Sequence, residues 1–303
     1  MSPEIVATVY TATIRMTTPI LLAALGGALT YHAGKVSVAM EGLMLASSFS
    51  CVVFSYLAGN ALVGVLAGIA TAVTLSLFNA LFVSILKVDN FAVGFALNIF
   101  ASSLTLFLTR VLFVGQNVFN SPEIVPVRGL GIVTGIGFLD NYILSFSVLT
   151  YFSLISVFVV SYLVFRTRYG LHLRVTGEKP EVLEAAGIRS SRVYILASIG
   201  CGILCGLAGA QLSLYNVRMF TRDMTGGRGF VALAAILMAR GKPLLLFFVC
   251  LLFGFFDALS LRLQGAALPP QFSLMLPYIV SIVALVFFCI KGKKSTVISD
   301  EEW

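Results

Sequence analysis

Charge is scarce in this chain. Asp, Glu, Lys and Arg make up 11% of its 303 residues, against 59% apolar residues. A soluble globular domain carries about 25% charged and about 45–50% apolar residues. A chain this poor in polar groups cannot cover a water-facing surface with them. A soluble enzyme is excluded on that ground, together with a disordered chain and a coiled coil. Histidine is equally sparse: His32 and His172 stand alone, so no Cys/His set has zinc spacing. The five cysteines (Cys51, Cys201, Cys205, Cys250 and Cys289) fall inside apolar runs and read as small packing residues, not as a disulfide scaffold. No G-x-x-x-x-G-K-[ST] phosphate loop, no H-E-x-x-H and no recognisable Ser-His-Asp set occurs. Nothing here would hydrolyse ATP or any other substrate, and the chain implies neither an enzyme nor a cofactor or metal of its own.

What is present is apolar length. A membrane span needs roughly 20 apolar residues. Nine runs separate along the chain, at about Ile5–Tyr31, Val36–Leu57, Ala61–Leu86, Phe91–Leu108, Tyr142–Phe165, Val193–Tyr215, Gly229–Met238, Leu244–Leu261 and Ser273–Ile290. The fold class is therefore an all-α polytopic membrane protein of about nine segments, within a range of about eight to ten. Residues 1–290 form a single membrane domain and 291–303 a tail. The first run is too long for a cleavable signal and no basic residue precedes it. Gly229–Met238 is too short to cross as a straight helix. It reads as a broken or re-entrant piece, which needs protein or water over its ends.

The net charge of +7 is carried without a basic, aromatic-interleaved stripe, so it signals membrane orientation and not nucleic acid. Arg166–Arg192 and the tail are the basic segments. With both placed inside, alternation of the runs puts Lys35, Lys87, Arg240 and Lys242 inside as well. Arg110, Arg128, Arg218, Arg222, Arg228 and Arg262 fall outside, and Arg15 stays within a span. Thirteen basic residues then lie inside against six outside, as the positive-inside rule asks. The N-terminus is expected out and the C-terminus in.

Two stretches echo one another. Glu41-Gly42-Leu43-Met44 and the later Asn79-Ala80-Leu81 parallel Arg228-Gly229-Phe230-Val231 and the later Asp257-Ala258-Leu259. The Asn90-Phe91 pair is similarly followed by Gln271-Phe272. By the charge assignment the two Gly-led elements run in opposite directions, the pattern of inverted repeats that build a midplane site.

Ionisable groups at membrane depth cost about 2.5–3.5 kcal/mol to insert, so each needs a partner or a wet cavity. Glu41 and Asp257 are the two acids in the runs of these repeats. Each could line a translocation path, or could accept hydrogen bonds from a helix N-terminus. The Asn98 amide suits sugar hydroxyls or a base edge, and equally a cross-link between helices. Asn79 and Gln211 are weaker cases of the same kind. Gly226-Gly227-Arg228-Gly229-Phe230 opens the short run with free backbone amides. It reads either as a half-helix end facing a polar solute or as a turn with Arg228 solvated. The path candidates are thus Glu41, Asn79, Asn98, Gly226, Gly227, Arg228, Phe230 and Asp257.

The loop over 166–192 contains Thr176-Gly177-Glu178-Lys179-Pro180-Glu181-Val182-Leu183-Glu184-Ala185-Ala186-Gly187. Thr176 or Gly177 is placed to cap a helix, Pro180 and the acids Glu178 and Glu181 suit its first turn, and Gly187 stops it. A helix this short is unstable alone and must dock on something.

Glu184-Ala185-Ala186-Gly187 resembles the cytoplasmic coupling loop of ABC importer permeases. Val38-Ala39-Met40-Glu41-Gly42-Leu43-Met44-Leu45, Gly177-Glu178-Lys179-Pro180, Gly206-Leu207-Ala208-Gly209-Ala210 and Thr221-Arg222-Asp223-Met224-Thr225-Gly226-Gly227-Arg228-Gly229-Phe230 resemble the simple-sugar and nucleoside branch of that class, related to ribose-type and branched-chain amino acid permeases. The resemblance runs from about Thr18 to Ile290 and lies nearest to nucleoside permeases. It implies a bacterial plasma-membrane subunit that forms the path for nucleosides, with monosaccharides as the alternative cargo. It implies a second permease subunit, identical or different, a cytoplasmic ATP-binding subunit and an extracytoplasmic solute-binding protein. Glu178, Pro180, Glu181, Glu184, Ala185, Ala186 and Gly187 would then make the ATPase contact. A self-sufficient, ion-coupled secondary transporter is the rival from another class; it would need an acid relay, and the acids here are sparse.

Overall fold

The computed structural model describes residues 3–113, 118–127 and 146–263, together with Ile279. Among these the helices are α1 (Pro3–His32), α2 (Met40–Ala58), α3 (Ala61–Ser84), α4 (Asn90–Leu112), α5 (Val148–Arg166), α6 (Arg168–Glu178), α7 (Pro180–Ala185), α8 (Ser190–Ala210), α9 (Arg228–Ala239) and α10 (Pro243–Leu263). A π-turn, Gln211–Val217, continues α8. Two short strands, β1 (Val118–Phe119) and β2 (Phe220–Thr221), pair antiparallel.

Seven of these helices are long and apolar enough to cross a membrane, and α9 is a shorter apolar helix. Each of the first eight sequence runs, from Ile5–Tyr31 to Leu244–Leu261, holds one of these helices. The ninth run, Ser273–Ile290, the tail with Lys291, Lys293 and Lys294, and the Gln271-Phe272 half of the repeat echo lie outside the described residues.

Helix starts follow local chemistry. The side chains of Asn60, Asp89, Ser147 and Thr167 accept from the first-turn amides of α3, α4, α5 and α6. The loop expected over 166–192 is more ordered than a single short helix. Thr167 caps an eleven-residue α6, and α7 follows directly. Thr176 and Gly177 consequently do not cap α7. They lie within α6, where the Thr176 hydroxyl donates to His172 O, and Lys179 holds the cap position without a side-chain bond. Pro180 does open α7. Gly187 ends it at φ +79°, with Gly187 N–H donating to Glu184 O and Ile188 N–H to Leu183 O.

Helices α1, α2 and α8 form the inner layer, while α3, α4, α5 and α10 show most of their surface. Bilayer lipid supplies no hydrophobic drive between helices, so close backbone approach does the packing. Gly64 and Gly68 of α3 lie against Cys51 and Ser47 of α2, and Gly202 and Gly206 of α8 against Val73 and Ile69 of α3. Serine hydroxyls tie the same three helices together: Ser47 Oγ donates to Gly206 O (2.8 Å), Ser48 Oγ to Gly209 O (3.1 Å) and Ser76 Oγ to Ser198 O (2.6 Å). The described cysteines are buried and unbridged.

One end of the bundle gathers the basic segments. His32 Nε2 lies 2.9 Å from Gly241 O, Gly34 packs on Gly177, and Lys35 Nζ donates to Val83 O at 2.9 Å beneath the Tyr194 ring. Burial holds the Lys35 ammonium pKa below its ordinary value. The ends of α1, α3, α6 and α9 meet there, and the sequence grouping of Lys35, Lys87, Arg166–Arg192, Arg240 and Lys242 is a grouping in space.

Candidate functional site

Helix α9 is short because it starts inside the bundle. It has 12 residues and ends at Ala239, beside the basic end. At 1.5 Å per residue its N-terminus stands ~18 Å from that end, near the middle of a hydrocarbon core about 30 Å thick. Residues Gly34–Ala39 carry the chain back inward as non-helical backbone, so α2 also starts within the bundle. The two starts touch. A Cβ on Gly229 would meet Glu41 N at 2.5 Å and Glu41 Cα at 2.6 Å, so only glycine permits the approach. From this junction α2 runs to the end marked by Gly59, and α9 runs to the basic end.

Two helix N-termini in one place concentrate unpaired N–H groups and partial positive charge. Glu41 answers both needs. Its Oε1 accepts from Gly227 N (2.8 Å) and its Oε2 from Gly229 N (2.6 Å). Asn98 of α4 serves the other start: its Oδ1 accepts from Gly42 N (2.8 Å), and its Nδ2 donates to Val38 O (3.0 Å). For both residues the helix-terminus and cross-linking alternatives are the ones the geometry adopts. Gly226 and Gly227, at φ +55° and +76°, make the turn that presents these amides.

Arg228 does not sit outside as a solvated turn residue, as charge alternation suggests. Its Nη2 stands 3.0 Å from Asp257 Oδ2 of α10, with both side chains 19% exposed. The short α9 returns it to membrane depth, where a guanidinium needs a counter-ion. Asn79 is not part of this cluster. It lies in the small-residue stripe of α3 that includes Ser76, and its buried Oδ1 has no hydrogen-bond partner. Gln211 is likewise internal: Ser147 Oγ donates to its Oε1 at 2.6 Å.

Sequence reasoning picked out Asn98 but missed its neighbours on the same face of α4. Phe95, Asn98 and Ser102 lie at i, i+3 and i+7, on one face of the helix. Phe95 stacks on Phe230 of α9 at 6.2 Å between ring centroids and 27° between planes. Ser102 Oγ donates to Asp223 Oδ1 at 2.6 Å, and Asp223 Oδ2 pairs with Arg222 Nε at 3.2 Å. Arg222, assigned outside by alternation, is thereby brought to the level of Ser102, ~18 Å along a helix of about 34 Å. Arg222 and Asp223 are 61% and 54% exposed. An exposed ion pair at that depth cannot face hydrocarbon. Water or another protein surface must cover it. The spacing Phe95-x-x-Asn98-x-x-x-Ser102 was the available signal, masked by phenylalanine throughout the chain.

The coupling candidates lie apart, at the basic end. Glu178, Pro180, Glu181, Glu184, Ala185, Ala186 and Gly187 are all exposed, and only Leu183 of α7 is buried against the bundle. Ser190 Oγ donates to Glu184 Oε1 at 2.6 Å. Val182 is exposed beside these acids. Among the described residues no group of three or more His, Cys, Asp or Glu could hold a metal.

Residues 9–285 match the family described as branched-chain amino acid transport system, permease component. The guanosine ABC transporter permease protein NupQ of Bacillus subtilis is 29% identical over 94% of this chain and 93% of its own length. The nucleoside ABC transporter permease protein NupC of Lactococcus lactis subsp. cremoris is 29% identical over 89% of each chain. TsgC13 of Haloferax volcanii, an ABC permease provisionally named for glucose, is 30% identical over 85% of this chain and 78% of its own.

Proposed function

The chain belongs to the family of branched-chain amino acid transport system permease components, and from that premise we propose that it conducts nucleosides as the membrane subunit of an ATP-driven importer. It is a multi-pass ABC transporter permease. The nucleoside cargo follows the names carried by NupQ and NupC. The observation that carries the path is the exposed Arg222–Asp223 pair at mid-depth beside Phe95, Asn98 and Ser102. A face that lipid cannot cover is where a water-filled route, or the second permease subunit bounding it, belongs.

In this reading the basic end is cytoplasmic, with the C-terminus on that side and the N-terminus outside. The exposed helix α7, from Glu178 to Gly187, seats in a cytoplasmic ATP-binding subunit that supplies the hydrolysis this chain lacks. Closure of that subunit moves the bundle as a rigid body. A solute-binding protein delivers cargo to the opposite end. The opposed directions of α2 and α9 from one shared start support an inverted-repeat origin for the two halves. Glu41, Asn98, Gly226, Gly227, Arg228, Phe230 and Asp257 then shape the wall of the route, with Phe230 and Arg228's neighbourhood nearest to solute. Asn79 holds a helix interface.

The test is uptake of labelled nucleosides by cells with and without this chain, with ribose as competitor and with ATP and the proton gradient collapsed separately. Nucleoside uptake that requires the chain and follows ATP is expected. Loss of ribose uptake alone would make a monosaccharide the cargo, the reading favoured by the likeness to TsgC13. Uptake that follows the gradient would replace the importer by a secondary transporter.

A further inference from the structure

We propose that Phe95, Phe230, Ser102 and Asp223 form a nucleoside-selective subsite on the route, with the phenylalanines taking the base and the Asp223 carboxylate taking the ribose hydroxyls. This rests on the importer reading above and adds to it the residues that choose the cargo.

Three features of the face carry the assignment. Phe95 and Phe230 are exposed side by side, 51% and 38%, with rings inclined by only 27°. Aromatic faces bind bases in a sequence-tolerant way by stacking. Phe95 and Ser102 are seven residues apart on one side of α4, ~10 Å along its axis. That is about the length of a nucleoside from base to sugar, and Asp223 sits on Ser102 at 2.6 Å. The carboxylate is only partly used. Ser102 and Arg222 take one bond on each oxygen, which leaves acceptor sites for a vicinal diol, since an ionised carboxylate has about four lone-pair positions. The same two bonds hold the carboxylate in place. The side of α4 that exposes Phe100 and Phe107 offers no such groups and suits lipid. A free monosaccharide would use Asp223 and leave the aromatic pair idle. A nucleoside uses both.

The experiment compares guanosine with 2′,3′-dideoxyguanosine and with free ribose, in cells carrying the complete transporter with unchanged partner subunits. The chain is wild type or Asp223→Asn, Ser102→Ala or Phe230→Leu, each checked for assembly in the membrane. Asp223→Asn and Ser102→Ala should lower the guanosine to dideoxyguanosine uptake ratio, about tenfold for Asp223→Asn. Phe230→Leu should leave that ratio and lower guanosine uptake about tenfold against ribose, as the loss of one stacked base predicts. If Asp223→Asn fails to assemble, the other two variants decide. Nucleoside uptake by wild type with both ratios unmoved in assembled variants overturns the subsite alone. Absence of any nucleoside uptake by wild type overturns the importer's cargo and the subsite together.

Discussion

The junction at mid-depth and the helix at the basic end handle polar groups in opposite ways. At the junction Glu41, Asn98, Arg228 and Asp257 are all answered from within the chain, by Gly227 and Gly229 N–H, by Gly42 and Val38, and by each other. In α7 the acids Glu181 and Glu184 and the apolar Val182 face outward, and one buried leucine holds the helix to the bundle. A satisfied polar group stabilises the fold it sits in. An exposed, short, marginal helix gains its stability from whatever it docks on. The first region is therefore expected to fail by unfolding, the second by losing a partner while remaining folded.

Substitutions can break that contrast. The largest loss is expected for Gly229→Val, whose side chain would overlap the Glu41 backbone. Thermal unfolding of the purified chain should show destabilisation of about 3 kcal/mol. Asp257→Leu leaves Arg228 uncompensated at membrane depth and should cost about 2.5 kcal/mol. The double variant Asp257→Leu with Arg228→Met should recover most of that, and no recovery would show that the pair is not coupled. Glu41→Gln keeps one acceptor for two amides and should cost about 1.5 kcal/mol, with uptake falling in step with stability. The smallest structural effect is expected from Glu184→Arg, within about 0.5 kcal/mol. It should nonetheless abolish uptake and ATPase stimulation, measured together in membranes. Normal uptake there would remove α7 as the contact, and a large loss of stability would erase the distinction between the two regions.

The spans were legible because bilayer thickness imposes a length on them, and the basic grouping because charge has a preferred side. Gly187 and Pro180 were legible because each has a conformational reason to stand at a helix end. Other features depended on where distant segments return. Glu41 and Gly229 are far apart in sequence, and nothing local to Glu41 indicates that a second helix will begin against it. Arg228 read as an outer residue because alternation counts whole spans, whereas α9 stops halfway. Thr176 read as a cap for α7, but Thr167 had already started a helix that swallowed it. The Phe95, Ser102 and Asp223 stripe was hidden by composition: where phenylalanine is everywhere, a useful one carries no mark.

The doubled helix start has an electrical consequence. Each helix end contributes roughly half a positive charge, and the single negative charge of Glu41 sits between two of them. Arg228 with Asp257, and Arg222 with Asp223, are each balanced pairs. Arg15 adds one positive charge at this level: the neighbouring Met16 sulfur lies 3.6 Å from Arg228, and the Arg15 guanidinium stands over the Tyr215 ring. A membrane voltage acts on displaced charge at about 2.3 kcal/mol per unit charge per 100 mV. Movement of the balanced groups gives it nothing to push, so Arg15 is the group at the waist through which the potential across the bilayer would act, and an uncharged cargo itself would pass without electrical cost in either direction.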